Sequence, residues 1–270
     1  MLITNKEYKI NSRINTNIVL ISDIHYYSKK DIKYLNKILD KITRLNPNYI
    51  CIPGDIIDEC NIEDEKYFIE WLIKLSNITK TIISLGNHEY YIDKRKKLYG
   101  FNKELFEKIK KINNIYLLDN ENVIIDDINF IGLTLNKDYY YKHYEDYDNF
   151  LKSINSLKIN TNYYNILLCH SPVNVTNEKV IEKLNVDLIL CGHTHGGMVP
   201  KIFRKIIKND GFISPNKKLF PKKVYGNLKI KNTNIIITSG ITVLSHTNRF
   251  YMLRHFFSGE IVNIKLTKSK

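Results

Sequence analysis

Residues 18–25 of the chain read IVLISDIH, an apolar run that ends in an acid and a histidine. An unbroken run of this kind is typical of a strand buried on both faces of a sheet. Apolar residues then recur at helical spacing between 32 and 45, until Asn46-Pro47 ends the helix. A second apolar run, YICI at 49–52, follows at once. This alternation predicts βαβ units, and therefore a parallel sheet with right-handed crossovers.

The same pattern continues and then changes. A second helix surrounds Trp71, a third strand covers 81–85, and a third helix lies around Ile109. Three closely spaced strands, at 116–118, 123–125 and 130–133, then predict a meander. The α/β alternation returns with strands at 166–169 and 188–191 and a helix through Val180 and Leu184 between them. In the tail, 234–238 and 260–266 are predicted strands. No internal repeat or low-complexity linker interrupts the chain. We expect one α/β domain over residues 1–270, with two sheets packed face to face and helices outside.

Polar residues follow five of the predicted strands. The motifs are DIH after the first, PGDIID after the second, GNHE after the third, one histidine after 166–169, and GHTH after 188–191. In open α/β sheets, ligands bind at the carboxyl ends of the strands. Seven of these side chains are candidate metal ligands: Asp23, His25, Asp55, Asn87, His170, His193 and His195.

Each motif alone has an ordinary structural explanation. Asp-x-His is common, GNHE could form a turn, and a buried histidine such as His170 is more often a hydrogen-bonded core residue. Together, however, unpaired carboxylates and imidazoles at one sheet edge would repel or desolvate one another unless they bound a cation. Donors without thiolate favour Mn²⁺, Fe²⁺ or Zn²⁺. Seven ligands are too many for one ion that also keeps water, so we expect two divalent metal ions.

The spacing inside two motifs makes a further prediction. Asp23 and His25 lie two residues apart, as do His193 and His195. If these segments stay extended, the two side chains of each pair point in the same direction. We therefore expect each pair to bind a common metal ion.

These five motifs, in this order, resemble those of the calcineurin-like metallophosphoesterases, and the resemblance runs from Ile18 to about Leu266. The run GHTHGG at 192–197 is similar to that of a bacterial branch of small phosphoesterases, with Met198 where the usual member has glutamine. The resemblance implies a four-layer α/β/β/α sandwich with two mixed β-sheets. It does not extend to the purple acid phosphatases, because Asp58 stands where that branch has a tyrosine ligand.

The resemblance also implies a role for each site residue. One metal ion would be held by Asp23, His25 and His195 and the other by Asn87, His170 and His193, with Asp55 bridging both and His88 as the catalytic histidine near the leaving group. The hypothesis is hydrolysis of a phosphomonoester or phosphodiester by a hydroxide that two metal ions activate. Asp58 and Glu89 are candidates for orienting the ligand imidazoles, with helix capping or a surface position as the alternative.

The remaining histidines are expected to lie outside the metal shell. They are His143, His246 and His255. Of these, His246 shares a predicted loop with Arg249 and could touch the substrate. The tyrosine-rich run at 138–147 could stack on bases or face lipid, although packing on its own domain is the more common outcome.

Three other functions are compatible with the residues. A nuclease of the same fold would suit the basic charge, but no nucleic-acid domain or continuous basic groove is evident, so nucleic acid is not the expected partner. A scaffold that has lost its chemistry would lack some ligands, and none is missing. A membrane-associated phosphoesterase could act on a lipid-linked phosphate or pyrophosphate.

The formal net charge of +13 favours anionic partners. The expected partner is an anionic phosphate-ester substrate, and an anionic membrane surface is a second candidate. Basic residues Lys201, Arg204, Lys205 and Lys208 alternate with apolar ones, so this segment is either a solvated basic surface, the commoner case, or a surface that lies on a membrane.

Location is predicted from the cysteines and the hydropathy. Cys51, Cys169 and Cys191 lie in apolar runs without metal-site spacing, which indicates buried, reduced thiols. No apolar stretch approaches the ~20 residues that cross a bilayer, and no signal peptide is recognisable. We expect a cytoplasmic protein, with attachment to the inner face of the membrane as the alternative; an N-terminal anchor outside this sequence would be compatible with the rest.

Overall fold

The computed structural model of the chain describes residues 2–58, 60, 62–89, 103–136, 138–141, 147–155, 157–243 and 251–268. Its strands form two six-stranded sheets. The first has the spatial order β1 (Leu2–Ser12), β12 (Ser258–Lys268), β2 (Thr16–Leu20), β3 (Tyr49–Pro53), β4 (Lys80–Ser84) and β5 (Ile115–Leu118). The second has the order β10 (Gly226–Ile230), β11 (Thr233–Ile237), β9 (Leu188–Cys191), β8 (Tyr164–Cys169), β7 (Ile128–Leu133) and β6 (Asn122–Ile125).

Both sheets are mixed. In the first, β2, β3, β4 and β5 run parallel, as their βαβ pattern predicts, whereas β12 is antiparallel to β2 and parallel to β1. In the second, β11, β9, β8 and β7 are parallel, and the edge strands β10 and β6 pair antiparallel with their neighbours. The parallel strands of each sheet therefore bring their carboxyl ends to one edge.

Helices cover the outer face of each sheet. Ile32–Leu45, Ile62–Ser76 and Lys103–Lys110 pack on the first sheet, and Tyr147–Asn155 and Glu178–Leu184 pack on the second. A separate apolar core fills the space between the sheets. Successive strand residues alternate between these layers: Ile18 and Leu20 enter the central core, while Val19 enters the core under the helices. The predicted four-layer α/β/β/α sandwich is confirmed.

No apolar run predicted the strands β1 and β10, or the helices Asp138–Tyr141 and Tyr147–Asn155. The strand β1 carries mostly polar residues and lies at a sheet edge, where one partner, β12, supplies all of its ladder over 11 residue pairs. An edge strand that is exposed to solvent along much of its length lacks the apolar run by which buried strands are recognised. The helices Asp138–Tyr141 and Tyr147–Asn155 lie in and directly after the tyrosine-rich run, which was expected to pack on its own domain.

The cysteines and the membrane prediction can be compared directly with the structure. Cys51, Cys60, Cys169 and Cys191 are all buried free thiols, as predicted for the first, third and fourth of these. Among the helices of the described residues, none combines the length and the apolar character needed to span a bilayer.

Candidate metal centre

The structure brings the seven predicted ligands to one place between the two sheets. Asp23 and His25 follow β2, Asp55 follows β3, and Asn87 follows β4; the second sheet contributes His170 after β8 and both His193 and His195 after β9. All are buried except His195, whose side chain is 12% exposed. The carboxyl ends of both sheets therefore face a common centre, which the first sheet alone could not form.

Three groups of side chains in the described part of the chain could hold a metal ion. They are Asp23 with His25 and His195, Asp55 with His170 and His193, and His25 with Asp55 and His88. Within each group the donor atoms lie within 4.8 Å of one another. Asp55 belongs to two of the groups, and so does His25. Neighbouring groups therefore share a side chain and form one continuous cluster.

Asp55 occupies the middle of the cluster. Its Oδ2 atom lies 2.9 Å from Nε2 of His170 and 3.8 Å from Nε2 of His25. Nε2 of His88 is 4.0 Å from the same oxygen. One carboxylate oxygen therefore faces imidazoles from both sheets, and this is the arrangement that a ligand shared by two metal ions requires.

The backbone at the ligands is not extended. Asp23, His25, Asp55, His193 and His195 all have positive φ angles, between 47° and 65°. Non-glycine residues rarely adopt this left-handed conformation, and its cost is tolerated mainly where function fixes the geometry. The premise that i and i+2 side chains align in an extended segment therefore fails here. His193 and His195 fall in different groups, contrary to the expectation that they bind a common ion.

Two glycines permit the close approach of the ligand segments. A Cβ atom on Gly86 would overlap Oδ1 of Asp55, and one on Gly192 would overlap Oδ2 of Asp23. Both contacts are with ligand carboxylates that have no room to withdraw, since Asp23 and Asp55 are buried. Any side chain at these two positions would displace a predicted ligand.

Hydrogen bonds outside the centre orient two of the ligands. Nδ1 of His170 lies 2.6 Å from the carbonyl oxygen of Pro53, which can only accept, so Nδ1 carries the proton and Nε2 is left to face the centre. The backbone N–H of His193 donates to Oδ1 of Asp23 over 3.1 Å. This second contact ties the strand end of one sheet to that of the other.

Glu89 does not orient an imidazole, so that prediction is wrong for this residue. Its buried carboxylate accepts four backbone N–H groups, from Asp55 at 2.8 Å, Gly86 at 2.7 Å, Ile56 at 2.6 Å and Ile57 at 3.2 Å. The Glu89 side chain thus clamps the loop that carries Asp55. Asp58 contacts the ring of His88, which is not a predicted ligand, with Oδ1 3.1 Å from Nδ1. Its Oδ2 atom lies 3.9 Å from Nδ1 of the ligand His25, beyond hydrogen-bonding distance.

Burial and charge divide the imidazoles into two kinds. Burial lowers the pKa of His25 to about 4 and that of His193 to about 3, so both are neutral and keep a lone pair for a metal ion. Burial acts in the same direction on His88 and His170, but nearby acceptors together outweigh it and raise the pKa of each to about 9; they are Asp55 and Asp58 for His88, and Asp55, Asp23 and the Pro53 carbonyl for His170. Unlike neutral His25 and His193, these two imidazoles balance the negative charge of Asp55.

Several donor atoms of the centre have no hydrogen-bond partner among the described residues. They include both ring nitrogens of His25, Oδ1 of Asn87 and Nδ1 of His195, all of them buried atoms. A buried polar atom without a partner costs about 1–3 kcal/mol. Nitrogen and oxygen donors left open in this way fit a divalent cation such as Mn²⁺, Fe²⁺ or Zn²⁺.

Two contributors to the centre were missed in the sequence. The Tyr140 ring is buried against His193, with ring centroids 5.2 Å apart. Gly240 lies against Asp23, and the backbone N–H of Thr242 donates to the Asp23 carbonyl oxygen at 2.9 Å. Neither residue carried a signal, because Tyr140 lies in a run of tyrosines and the 239–242 loop has no titratable group.

Other predicted residues cannot be placed. His143, His246 and Arg249 lie outside the described residues, as does most of the second half of the tyrosine-rich run, and the side chain of His255 is likewise not described. In the first half of the run, Tyr139 and Tyr140 are buried, which favours packing on the protein's own domain.

Cavities open on both sides of the 193–195 segment. One, of about 220 Å³, is lined by His195 together with Lys201, Arg204 and Lys205. The other, of about 190 Å³, is lined by His193 together with basic residues, which are Lys218, Lys222 and Lys223. Basic side chains outnumber acidic ones in both linings, where Glu260 is the one acid, so both cavities suit an anionic ligand.

Comparison with known proteins gives a family match over most of the chain. The family model described as calcineurin-like phosphoesterase matches residues 16–197. An uncharacterised metallophosphoesterase of Campylobacter jejuni is 30% identical over 207 residues, which are 75% of this chain and 50% of that protein. A UDP-2,3-diacylglucosamine pyrophosphatase of Chlamydia muridarum is 24% identical over 226 residues, covering 67% of this chain and 64% of that protein.

The chain spans about half the length of the first curated relatives that it matches. Among solved structures, a dimetal phosphatase from Danio rerio superposes with a TM-score of 0.45 and 11% sequence identity, over 83% of this chain and 87% of that one.

Proposed function

Because this chain belongs to the calcineurin-like phosphoesterase family, we propose that it hydrolyses phosphate esters with two divalent metal ions bound around Asp55. The observation that carries the proposal is the position of Asp55 Oδ2, between imidazoles of the two sheets. Two of the candidate groups share this carboxylate. A bridging role for Asp55 is therefore supported by geometry as well as by family membership.

The remaining ligands divide between the two ions. Asp23, His25 and His195 would hold one ion, and His170 and His193 the other, with Asn87 adding its unpartnered Oδ1 atom to the second. When bound, the ions supply charge neutralisation of the phosphoryl group and activation of water. Neutral His25 and His193 can ligate without first losing a proton.

His88 is proposed as the proton donor to the leaving group. Its side chain is 28% exposed, whereas the predicted ligands are more deeply buried, so it can reach a substrate from the solvent side. Burial lowers the pKa of His88, whereas Asp55 and Asp58 raise it to about 9. Asp58 is not a proposed metal ligand, so its charge favours protonated His88 also when metal ions bind Asp55. A group in this state can protonate a departing alkoxide.

The residues around the centre support an anionic substrate. The lysines and Arg204 that line the two cavities would attract a phosphate ester and would help to hold a second anionic group beside the one that is cleaved. A monoester, a diester and a lipid-linked phosphate or pyrophosphate all satisfy this requirement. Nucleic acid satisfies it too, so the substrate class must be measured.

The test combines metal analysis with turnover. We expect the purified protein to bind about two equivalents of Mn²⁺, Fe²⁺ or Zn²⁺ and to hydrolyse p-nitrophenyl phosphate or bis(p-nitrophenyl) phosphate only with metal. Asp55→Asn should lose metal and at least about a hundredfold in kcat/KM, because it removes the negative charge that the two ions share. Asp40→Asn, on the exposed face of helix Ile32–Leu45, is the matched control and should retain both. The proposal would be refuted if the wild type bound no metal and hydrolysed these esters without it, with Asp55→Asn equally active.

A substrate panel separates the alternatives. It should contain a phosphomonoester, a phosphodiester, plasmid DNA and a UDP-linked diacyl sugar, the last because a relative is a UDP-2,3-diacylglucosamine pyrophosphatase. Preference for plasmid DNA with steep loss in salt would support the nuclease alternative. Preference for the UDP-linked sugar would support action on lipid-linked pyrophosphate.

A further inference from the structure

Large apolar side chains are exposed beside one of the two cavities. We call the set the apolar rim: Ile202, Ile206, Leu219, Phe220, Met252, Leu253 and Phe256. Ile202 and Ile206 are each 77% exposed, and Met252 is 81% exposed. Single exposed apolar residues are ordinary, but a group of this size indicates a surface that meets another apolar phase.

The first part of the rim is built from two segments that touch. The Phe203 ring packs edge-on against Phe212, with centroids 5.7 Å apart. Phe212 in turn accepts a hydrogen bond from the backbone of Phe220 at 2.9 Å. A bridge between Ile213 and Leu219 closes this hairpin. The short helix at 201–203 and the 212–220 hairpin are therefore neighbours.

The second part of the rim directly precedes a residue that lines the cavity of His195. Lys201 and Lys205 line that cavity together with Phe257. Phe257 directly follows the 3-10 helix Tyr251–Phe256, which carries the remaining rim residues. Rim residues are therefore chain neighbours of cavity-lining residues in two segments that are distant in sequence.

The segment 201–223 is strongly basic. Between 201 and 223 the chain has a single acid, Asp210, which pairs with Lys222 at 2.6 Å. The basic residues of the same stretch are Lys201, Arg204, Lys205, Lys208, Lys217, Lys218, Lys222 and Lys223. The apolar rim is thus interleaved with cations that have few acids to neutralise them.

We propose that the apolar rim docks this protein on the surface of an anionic lipid bilayer. Apolar side chains that enter the acyl boundary and lysines that meet anionic headgroups are the two parts of interfacial binding. A protein partner is less compatible with the composition, since the cores of protein interfaces are depleted in lysine. The proposal goes beyond the proposed function and does not depend on catalysis.

Vesicle sedimentation tests the docking directly. The purified protein should sediment with vesicles of phosphatidylcholine and phosphatidylglycerol at about seven to three, and should remain in the supernatant with phosphatidylcholine alone. Raising the salt from about 0.1 M to 1 M should weaken the binding several-fold, because the Debye length falls from about 10 Å to about 3 Å. The triple variant Ile202→Ser/Ile206→Ser/Phe220→Ser should lose at least tenfold in vesicle partition, since each side chain contributes buried apolar area.

Matched variants make the result specific. Ile73→Ser/Ile124→Ser removes exposed apolar residues elsewhere and should bind vesicles as the wild type does. Lys208→Glu/Lys217→Glu keeps the apolar rim intact and should also weaken binding, whereas Lys111→Glu/Lys183→Glu, with the same change of net charge at exposed positions outside the rim, should weaken it less. This charge pair also preserves the test if the triple variant fails to fold.

Three outcomes would overturn the proposal. The first is that wild type does not sediment with the anionic vesicles. The second is equal partition of the wild type, the triple variant and the rim charge variant. The third is a stable dimer in sedimentation velocity that only the rim variants dissociate, which would assign the surface to a second copy of the chain. Because none of these measurements uses turnover, failure of docking and failure of the proposed catalysis are distinguishable.

Discussion

Nδ1 of His88 lies 3.1 Å from Oδ1 of Asp58, and this pair stands at the solvent side of the buried ligand cluster. The backbone N–H of His88 also donates to Oδ1 of Asp55 over 2.9 Å. His88 is therefore fixed at two points by carboxylates, one on the ring and one on the main chain. Its free Nε2 atom is the part of the ring available to a substrate.

The pair predicts a leaving-group effect. Asp58→Asn removes one of the two charges that favour protonated His88, and His88→Asn removes the proton donor, so both should lower kcat by about 10²-fold for a poor leaving group such as an alkyl phosphate. p-Nitrophenolate needs little protonation, so its ester should lose far less. Parallel kcat measurements on an alkyl and a p-nitrophenyl phosphate check this, and equal losses on both substrates would count against a proton donor.

The same pair predicts a shift in the pH profile. Protonated His88 is the active form, so activity should fall as the pH rises through the pKa of this group. Asp55 and Asp58 together outweigh burial and raise that pKa to about 9; without the Asp58 charge the pKa is lower. The alkaline limb of kcat should therefore move to lower pH in Asp58→Asn. An unchanged limb, with kcat reduced at every pH, would assign Asp58 a structural role only.

Glu89 offers a prediction about stability. Four backbone N–H groups converge on its buried carboxylate, and Glu89→Gln would set an amide N–H₂ against part of them. We expect a loss of about 1–3 kcal/mol in the free energy of unfolding, typical of buried donors left without an acceptor. Urea unfolding of the metal-free protein measures it, with the exposed Glu107→Gln as control. A loss as small as that of the control would show that the loop does not need this clamp.

Gly86 separates damage to the site from damage to the fold. A methyl group at Gly86 would overlap the Asp55 carboxylate, whereas one at Gly132 would overlap Leu118 in the core between the sheets. Both Gly86→Ala and Gly132→Ala should lower the melting temperature, but only Gly86→Ala should also lower the bound-metal content. Equal metal content in the two purified variants would contradict the close approach of Gly86 to Asp55.

Much of this centre could be predicted because its ligands follow apolar strands. The runs before Asp23, Asp55 and His170 identify buried strands, and parallel strands must present their carboxyl ends at one edge. The division of His193 and His195 could not be derived from spacing, since it depends on left-handed backbone angles that the residue types do not reveal.

Contacts between segments that are distant in the chain were also beyond the sequence. The sequence predicts Glu89 to be a surface acid or an imidazole partner, whereas in the fold it accepts hydrogen bonds from the Asp55 loop. Nothing in the sequence distinguishes Tyr140 from the neighbouring tyrosines, and only the fold shows that it packs on His193. The strand β1 pairs only with β12, which lies some 250 residues away, so no local sequence pattern predicts it.

Metal removal should destabilise the whole domain, because the proposed ligands come from both sheets. A ligand that binds only the folded state adds about 2.7 kcal/mol at a hundredfold excess over its Kd. For a domain of roughly this size, each kcal/mol shifts the melting temperature by about 2–4 °C. Chelation should therefore lower the melting temperature by roughly 5–10 °C, and Mn²⁺ or Zn²⁺ should restore it. Asp55→Asn should show little response to either treatment while Asp40→Asn responds as the wild type does. If chelation left the wild type unchanged, the unpartnered donors of His25, Asn87 and His195 would need another explanation, because no metal ion would then be offsetting their burial.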